Sequence, residues 1–303
     1  MRSLDLIFND YNLRILISIG IYIIMALGLN LITGVTGQLS LGHAAFMSIG
    51  AYASALVSMQ TGLPFGLALL SGALAAGIFG IILGFPTLRL SGDYLAVATL
   101  GFGEIVRVVL VNMEITGGAL GLSPIPTKTN VWLTWILVMV VVLAMYRIEN
   151  SRFGRALLAI REDEIAAEAM GIHTTRYKIM AFAIGAICAG LGGALYAHFI
   201  TYINPIDFGF MKSIEILNMV VLGGMGSIPG TVLGAVVLTV APETLRFVDQ
   251  YRMLFYGAML VMMMIFRPNG LLGGVNFTRL VLKTFKLDRV RGKAAVAHRV
   301  RGE

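Results

Sequence analysis

Long apolar runs recur through this chain, near residues 13–33, 38–60, 64–85, 92–112, 131–147, 179–200, 213–246 and 252–267. About 20 apolar residues carry a helix across the roughly 30 Å hydrocarbon core of a bilayer, and several of these runs are long enough. The spacing predicts an all-α polytopic membrane protein with about 8–9 transmembrane segments. Hydrophobic residues make up 57% of the chain and charged residues 13%, with a mean hydropathy of +0.85. That balance excludes an ordinary soluble domain. The first run, Ile15 to Ile32, lacks a small-residue cleavage pattern and reads as the first span rather than a cleaved signal.

The charges are segregated. Six Lys/Arg and five Asp/Glu fall between Arg147 and Lys178, and eight more Lys/Arg fall between Arg279 and Arg301, opposed by Asp288 and Glu303. Basic residues gathered beside apolar spans mark the cytoplasmic side, which explains a net charge of +7 without nucleic acid. The chain divides into a transmembrane domain over 1–278, interrupted by a polar loop at 147–178, and a basic cytoplasmic tail over 279–303 that suits anionic headgroups. If both basic segments are cytoplasmic, an even number of crossings must separate them. Four fit when the 213–246 run is two segments, about 208–224 and 229–246. Five full crossings before residue 147 place the N-terminus outside, against the weak leaning of Arg2 and Arg14, unless one segment is re-entrant.

The division of 213–246 rests on Gly223-Gly-Met-Gly226-Ser-Ile-Pro229-Gly230. Non-helical backbone at membrane depth is tolerated where protein buries it or a wet cavity meets it. Gly34-Val-Thr-Gly37 ends the first run in the same way, and each break is followed by a helix of small residues. Matched interruptions in two halves are the sign of a two-fold internal repeat with a site near the midplane; glycines are also common in membrane helices. Gly226, Gly230 and Gly234 form one ladder at four-residue spacing, and Gly80 with Gly84 another. Such faces let helix backbones approach closely.

Polar groups within apolar runs are costly and face cavities or partners. Gln38, Ser40, His43 and Ser48 cluster at the start of the second run, with positions 40, 43 and 47, or 44 and 48, on one face if the segment is helical. They line a path for a polar solute or bond backbone freed by the adjacent glycines. Glu104 and Arg107 have the i,i+3 spacing of an ion pair, structural or gating in role. His198 and Tyr202 are pathway or interface residues, and a tyrosine at the end of a span is also placed as a headgroup anchor. No phosphate loop of the Gly-x-x-x-x-Gly-Lys-Ser/Thr form, no nucleophile elbow and no metal-ligand spacing occur, so catalysis and a cofactor in this chain are not expected. Cys188 stands alone and allows no internal disulfide.

The segment 156–170 reads as an amphipathic helix standing in water. Ala156, Ile160, Ala167 and Met170 form its apolar side, Arg161, Glu162, Asp163 and Glu164 its charged side, and Gly171 its C-cap. Its acids disfavour an anionic leaflet, and a groove on a partner protein accounts for both faces.

Four stretches carry a resemblance to a known family. They are Gly28-Leu-Asn-Leu-Ile-Thr-Gly34-Val-Thr-Gly37-Gln-Leu-Ser-Leu-Gly42-His-Ala-Ala-Phe-Met-Ser-Ile-Gly50-Ala-Tyr, then Gly92-Asp-Tyr-Leu-Ala-Val-Ala-Thr-Leu-Gly-Phe-Gly-Glu104-Ile-Val-Arg107 with Thr116-Gly-Gly, and the Gly223–Gly230 break. From about residue 15 to 274 the chain resembles branched-chain amino-acid ABC permeases of the LivM type. Glu164-x-Ala-Ala-x-x-x-Gly171 looks like the cytoplasmic coupling loop of ABC importers, with Ile165 where many of them have Ala. The resemblance implies a multi-pass protein of the bacterial inner membrane, importing leucine, isoleucine or valine. Its implied partners are a LivH-type sister permease, two cytoplasmic ATPases of the LivG/LivF type and a solute-binding protein. Arg161, Glu164, Ala167, Glu168 and Gly171 would then couple to the ATPases. A permease for urea, short amides or another amino acid is the nearest alternative. An ion-coupled secondary transporter fits less well, because Glu104 has Arg107 beside it, and a membrane anchor leaves the broken helices unexplained.

Overall fold

The computed structural model describes residues 10–87, 90, 92–244, 257, 261, 265, 266 and 270–272. Most of the 252–267 run and all of the 279–303 tail lie outside the described residues, as does Arg2. The described part is all-α: α1 (Asp10–Leu29) continued by a π turn (Asn30–Val35), α2 (His43–Thr61), α3 (Phe65–Thr87), α4 (Asp93–Asn112), α5 (Val131–Glu149), α6 (Arg152–Glu162), α7 (Glu164–Ala169), α8 (Thr174–Ile200), α9 (Phe210–Gly223) and α10 (Ile228–Thr244). Five of the described helices are long and apolar enough to cross a membrane: α1 with its π turn, α3 over Phe65–Phe85, α4, α5 and α8.

Helix α8 is the mast of the bundle, and its glycines explain why. Gly185 lies against Gly28 of α1, Gly190 against Gly50 of α2 and Gly72 of α3, and Gly193 against the Met47 carbonyl of α2. A Cβ on Gly193 would stand 2.0 Å from that carbonyl oxygen. Lipid gives helices no hydrophobic reason to associate, so bare backbone surfaces in close contact supply the attraction. The Gly80–Gly84 ladder packs as expected, with Gly80 on Ala186 and Gly84 on Ile179.

Helix α2 is encased, buried without interruption from His43 to Tyr52. Its walls are protein, so it carries Ser48, Ser54 and Ser58 without exposing them to lipid. Helices α9 and α10 form a tight antiparallel pair: Gly223 meets Gly230, and Gly234 meets the Met219 carbonyl. Ser227 caps α10 by accepting from the Gly230 N–H at 3.3 Å. Pro229 falls in the first turn, where a missing N–H costs nothing. The expected division of the 213–246 run is therefore present. The expected Gly226–Gly230–Gly234 ladder is not, because Gly226 stands outside the helix at φ +82°.

α1 runs antiparallel to α8. Gly20 lies on Thr134 at the start of α5, Gly192 on Met25, and Gly185 on Ile32. The Asp10 end is thus at the end of the bundle opposite α6 and α7. That opposite end is tied by the Leu122–Ile203 bridge, by Tyr202 donating to the Leu120 carbonyl, and by His198, whose ring nitrogens contact Pro126 O at 2.9 Å and Ser54 Oγ at 3.2 Å. His198 and Tyr202 thus hold loops and helices together.

Candidate functional site

The charged segment is a hairpin of two short helices. Ser151 caps α6, and Gly154, Ala156, Leu157 and Ile160 face the body of the protein. A single helix over 156–170 was expected, but the chain breaks at Asp163, whose carboxylate accepts from the N–H groups of Ile165 at 2.9 Å and Ala166 at 3.0 Å. An aspartate that satisfies two free N–H groups starts a new helix more readily than it continues an old one. The break turns Met170 outward, to 82% exposure, rather than onto the apolar face, and Ile165 is equally exposed. Gly171, at φ +82°, ends α7. Its N–H bonds to Glu168 O and that of Ile172 to Ala167 O, the Schellman arrangement that a left-handed residue permits.

The coupling candidates therefore divide. Glu164 is paired with buried Lys178 at the start of α8, and Ala167 is buried; both fasten the hairpin to the bundle. Glu168 and Gly171 are exposed, together with Ile165 and Met170. Arg161 is also exposed, but one guanidinium N–H reaches inward and donates to the Gly34 carbonyl at 2.5 Å. Its stem covers Gly37, where a Cβ would stand 2.9 Å from Arg161 Cγ.

Both glycine breaks meet at Arg161. Asn30 Oδ1 accepts from the Gly226 N–H at 2.8 Å, and a Cβ on Gly34 would stand 2.3 Å from the Gly226 nitrogen. A Cβ on Gly226 would lie 3.0 Å from the Arg161 guanidinium. The two interruptions seen in sequence are in direct contact. Leu271 and Leu272 donate their N–H groups to Leu222 O and Gly223 O, closing the second break from the far side. The first break is a π turn, with Thr36 N bonded to Leu31 O; such turns recur at functional sites. A small cavity lined by Leu27, Asn30, Leu31, Val35, Met145, Glu149 and Ile228 lies beside the junction.

From there residues 36–42 run back into the bundle without helical structure, and α2 begins only at His43. The shared helical face expected for positions 40, 43 and 47 is absent, since Gln38 and Ser40 lie in this segment. The segment is held by Leu41 N to Thr99 Oγ1 at 2.9 Å and Ala44 N to Ser213 Oγ at 3.1 Å. His43 is fully buried, its Nε2 3.0 Å from Met25 O. Thr33 Oγ1, Gln38 Oε1, Ser40 Oγ and His43 Nδ1 are buried with no hydrogen-bond partner among the described residues. Ser48 differs, donating to its own helix at Ala45 O. Sequence reasoning missed Asn30, Thr33, Thr99 and Ser213, although the first two stand inside the first break.

Glu104 and Arg107 form the expected pair, 2.7 Å apart, and both side chains remain more than one third exposed on α4. A second cluster was not foreseen: Lys212 bonds Glu215 at 2.9 Å and the Tyr22 hydroxyl, joining α9 to α1. Among the described residues no group of His, Cys, Asp and Glu is placed to hold a metal ion.

The family model described as "Branched-chain amino acid transport system / permease component" matches residues 11–264, a span that takes in both breaks and the hairpin. The permease protein LivM of the high-affinity branched-chain amino acid transport system of Salmonella typhimurium is 41% identical over 310 residues, covering 91% of this chain and 72% of the relative. Its namesake in Escherichia coli is 42% identical over 287 residues, 83% of this chain and 68% of the relative. The permease protein LivH of Escherichia coli is 28% identical over 286 residues, 83% of this chain and 91% of the relative. No solved structure matches.

Proposed function

This chain belongs to the family of permease components of branched-chain amino acid transport systems, and from that premise we propose that it is one of two permease subunits of an ATP-binding-cassette importer for leucine, isoleucine and valine. Its companions are a LivH-type permease, two cytoplasmic ATPases of the LivG/LivF type and a solute-binding protein, and the assembly sits in the bacterial inner membrane. Among the described residues α1 to α5, α8, α9 and α10 make eight crossings. α1 with α2, and α9 with α10, are the corresponding broken pairs of a two-fold repeat.

The observation that carries the mechanism is Arg161, which reaches from the water-facing hairpin to the junction of both breaks. Ile165, Glu168, Met170 and Gly171 form the face offered to an ATPase, and an apolar centre with a charged rim suits a protein groove. When the ATPases close, the hairpin moves as a rigid unit, since Glu164–Lys178 and Ala167 hold it to α8. Arg161 passes that movement to Gly34 and Gly226, where packed backbones have few ways to yield. Gln38, Ser40 and His43, with Thr33, then line the polar side of the path. Their unpartnered acceptors suit a solute that brings its own donors, as an ammonium group does.

The test is uptake by vesicles containing the assembled transporter. Labelled leucine should accumulate only with ATP inside and the binding protein outside. Transport of urea or a short amide with no leucine uptake would replace the substrate. Uptake driven by an ion gradient without the ATPases would replace the mechanism.

A further inference from the structure

The outward surfaces of the bundle are not alike. α3 presents Leu70, Leu74, Ile78 and Ile82, and α5 presents Ile136, Met139 and Leu143, apolar surfaces that lipid solvates well. α4 presents Val97, Ile105 and Val108 around the Glu104–Arg107 pair, which lies well inside the Asp93–Asn112 span. Charged groups within a span face protein or water rather than acyl chains, yet both side chains of this pair keep more than one third of their surface exposed. On the same stripe Gly101 is bare: a Cβ placed there meets nothing within 4 Å. A bare glycine one turn from an exposed ion pair provides a shallow groove with polar glue beside it, the features of a helix–helix seam in a membrane.

We propose that this face of α4 is the docking surface for the second, sequence-distinct permease subunit. A helix of that subunit seats on Gly101 and brings a polar group to Glu104–Arg107. The reading of this chain as one of two permeases underlies the assignment. The relatives support that occupant over a second copy, since the chain resembles two differently named permeases of one system, at 42% and 28% identity.

Photo-crosslinking in membranes containing the whole transporter tests it. Benzoylphenylalanine replaces Val97, Ile105 or Val108 on α4, with Ile78 on α3 and Ile136 on α5 as comparison sites. The expected result is an adduct with the sister permease from the α4 sites and lipid adducts alone from the other two. Adducts with lipid only, with a second copy, or with residues 245–269 of the same chain overturn the assignment. Gly101→Leu gives an independent reading by filling the groove. It should lower recovery of the sister permease several-fold while Ile78→Ala leaves it unchanged, and equal recovery overturns the seam. Leucine uptake by the unsubstituted transporter separates the two levels. Uptake without α4 adducts removes only the seam, whereas absence of ATP-driven uptake removes the permease reading itself.

Discussion

Arg161 donates to the carbonyl oxygen of Gly34 across 127 positions of sequence. The bond joins the one densely charged hairpin among the described residues to a break in a buried helix, and the second break lies against the same guanidinium. One guanidinium N–H of Arg161 is engaged inward while the residue itself stays exposed, so its bond to Gly34 and any contact with an ATPase can be separated by mutation.

Arg161→Ala should separate coupling from assembly. A hydrogen bond from a charged group contributes about 1.5–3 kcal/mol, and its loss corresponds to roughly a tenfold or greater fall in a coupled equilibrium. Leucine uptake should drop by about that factor while both ATPases still co-purify and hydrolyse ATP. Arg161→Lys, which keeps the charge but loses the planar fork, should fall between. Loss of the ATPases from the Arg161→Ala complex would return this residue to the docking face.

The docking face itself should fail without unfolding. Ile165→Asp and Met170→Asp alter side chains that are 82% exposed, so insertion and expression should stay normal while ATPase recovery falls. Glu164→Arg acts differently, because it sets a second cation against buried Lys178 and loosens the hairpin. The double reversal Glu164→Lys with Lys178→Glu should recover part of the uptake lost by either single change. Gly171→Asp meets no neighbour but forces a side chain to φ +82°, at a cost of about 1–2 kcal/mol. Wild-type ATPase recovery in all of these variants would remove the hairpin from the docking role.

Gly230→Leu should be among the least tolerated changes, since a Cβ there stands 2.3 Å from the Gly223 carbonyl oxygen. Overpacking of this kind typically costs about 1–3 kcal/mol. Gly226→Leu adds left-handed backbone strain to a close approach to Arg161. Val261→Leu, at an exposed position, is the comparison. Equal uptake at equal expression across the three would refute the packed junction.

The sequence shows these features unevenly, and the reasons are physical. Run length carries α3, α4, α5 and α8, because hydrocarbon thickness imposes a length that any sufficiently apolar helix displays. The Glu104–Arg107 pair is legible because i,i+3 neighbours meet on any helix. Glu164–Lys178 is not, since 14 positions and a turn intervene and only the fold closes them. Nor is the start of α2 at His43: small apolar residues read as continuous from Gln38, and the non-helical segment depends on Thr99 and Ser213 from distant helices. The break at Asp163 was available in principle. Its capping ability competes with the helix-favouring Glu and Ala around it, and local propensity does not decide between them.

Ser40 offers the sharpest distinction between a structural and a transport role for the polar segment. Its hydroxyl is fully buried and bonds nothing among the described residues. Leaving a buried polar group unsatisfied costs about 1–3 kcal/mol, so Ser40→Ala should leave the folded permease as stable as before or more so. If the hydroxyl meets the solute as it passes, uptake should nevertheless fall, with the change in the maximal rate rather than in affinity for the binding protein. Gln38→Leu, which removes another unpartnered acceptor, should behave alike, whereas Ser48→Ala should leave uptake near normal because Ser48 bonds its own helix. The measurements are thermal stability of the purified complex and initial uptake rates in vesicles. A loss of stability with Ser40→Ala, or full uptake in both Ser40→Ala and Gln38→Leu, would take the segment out of the path.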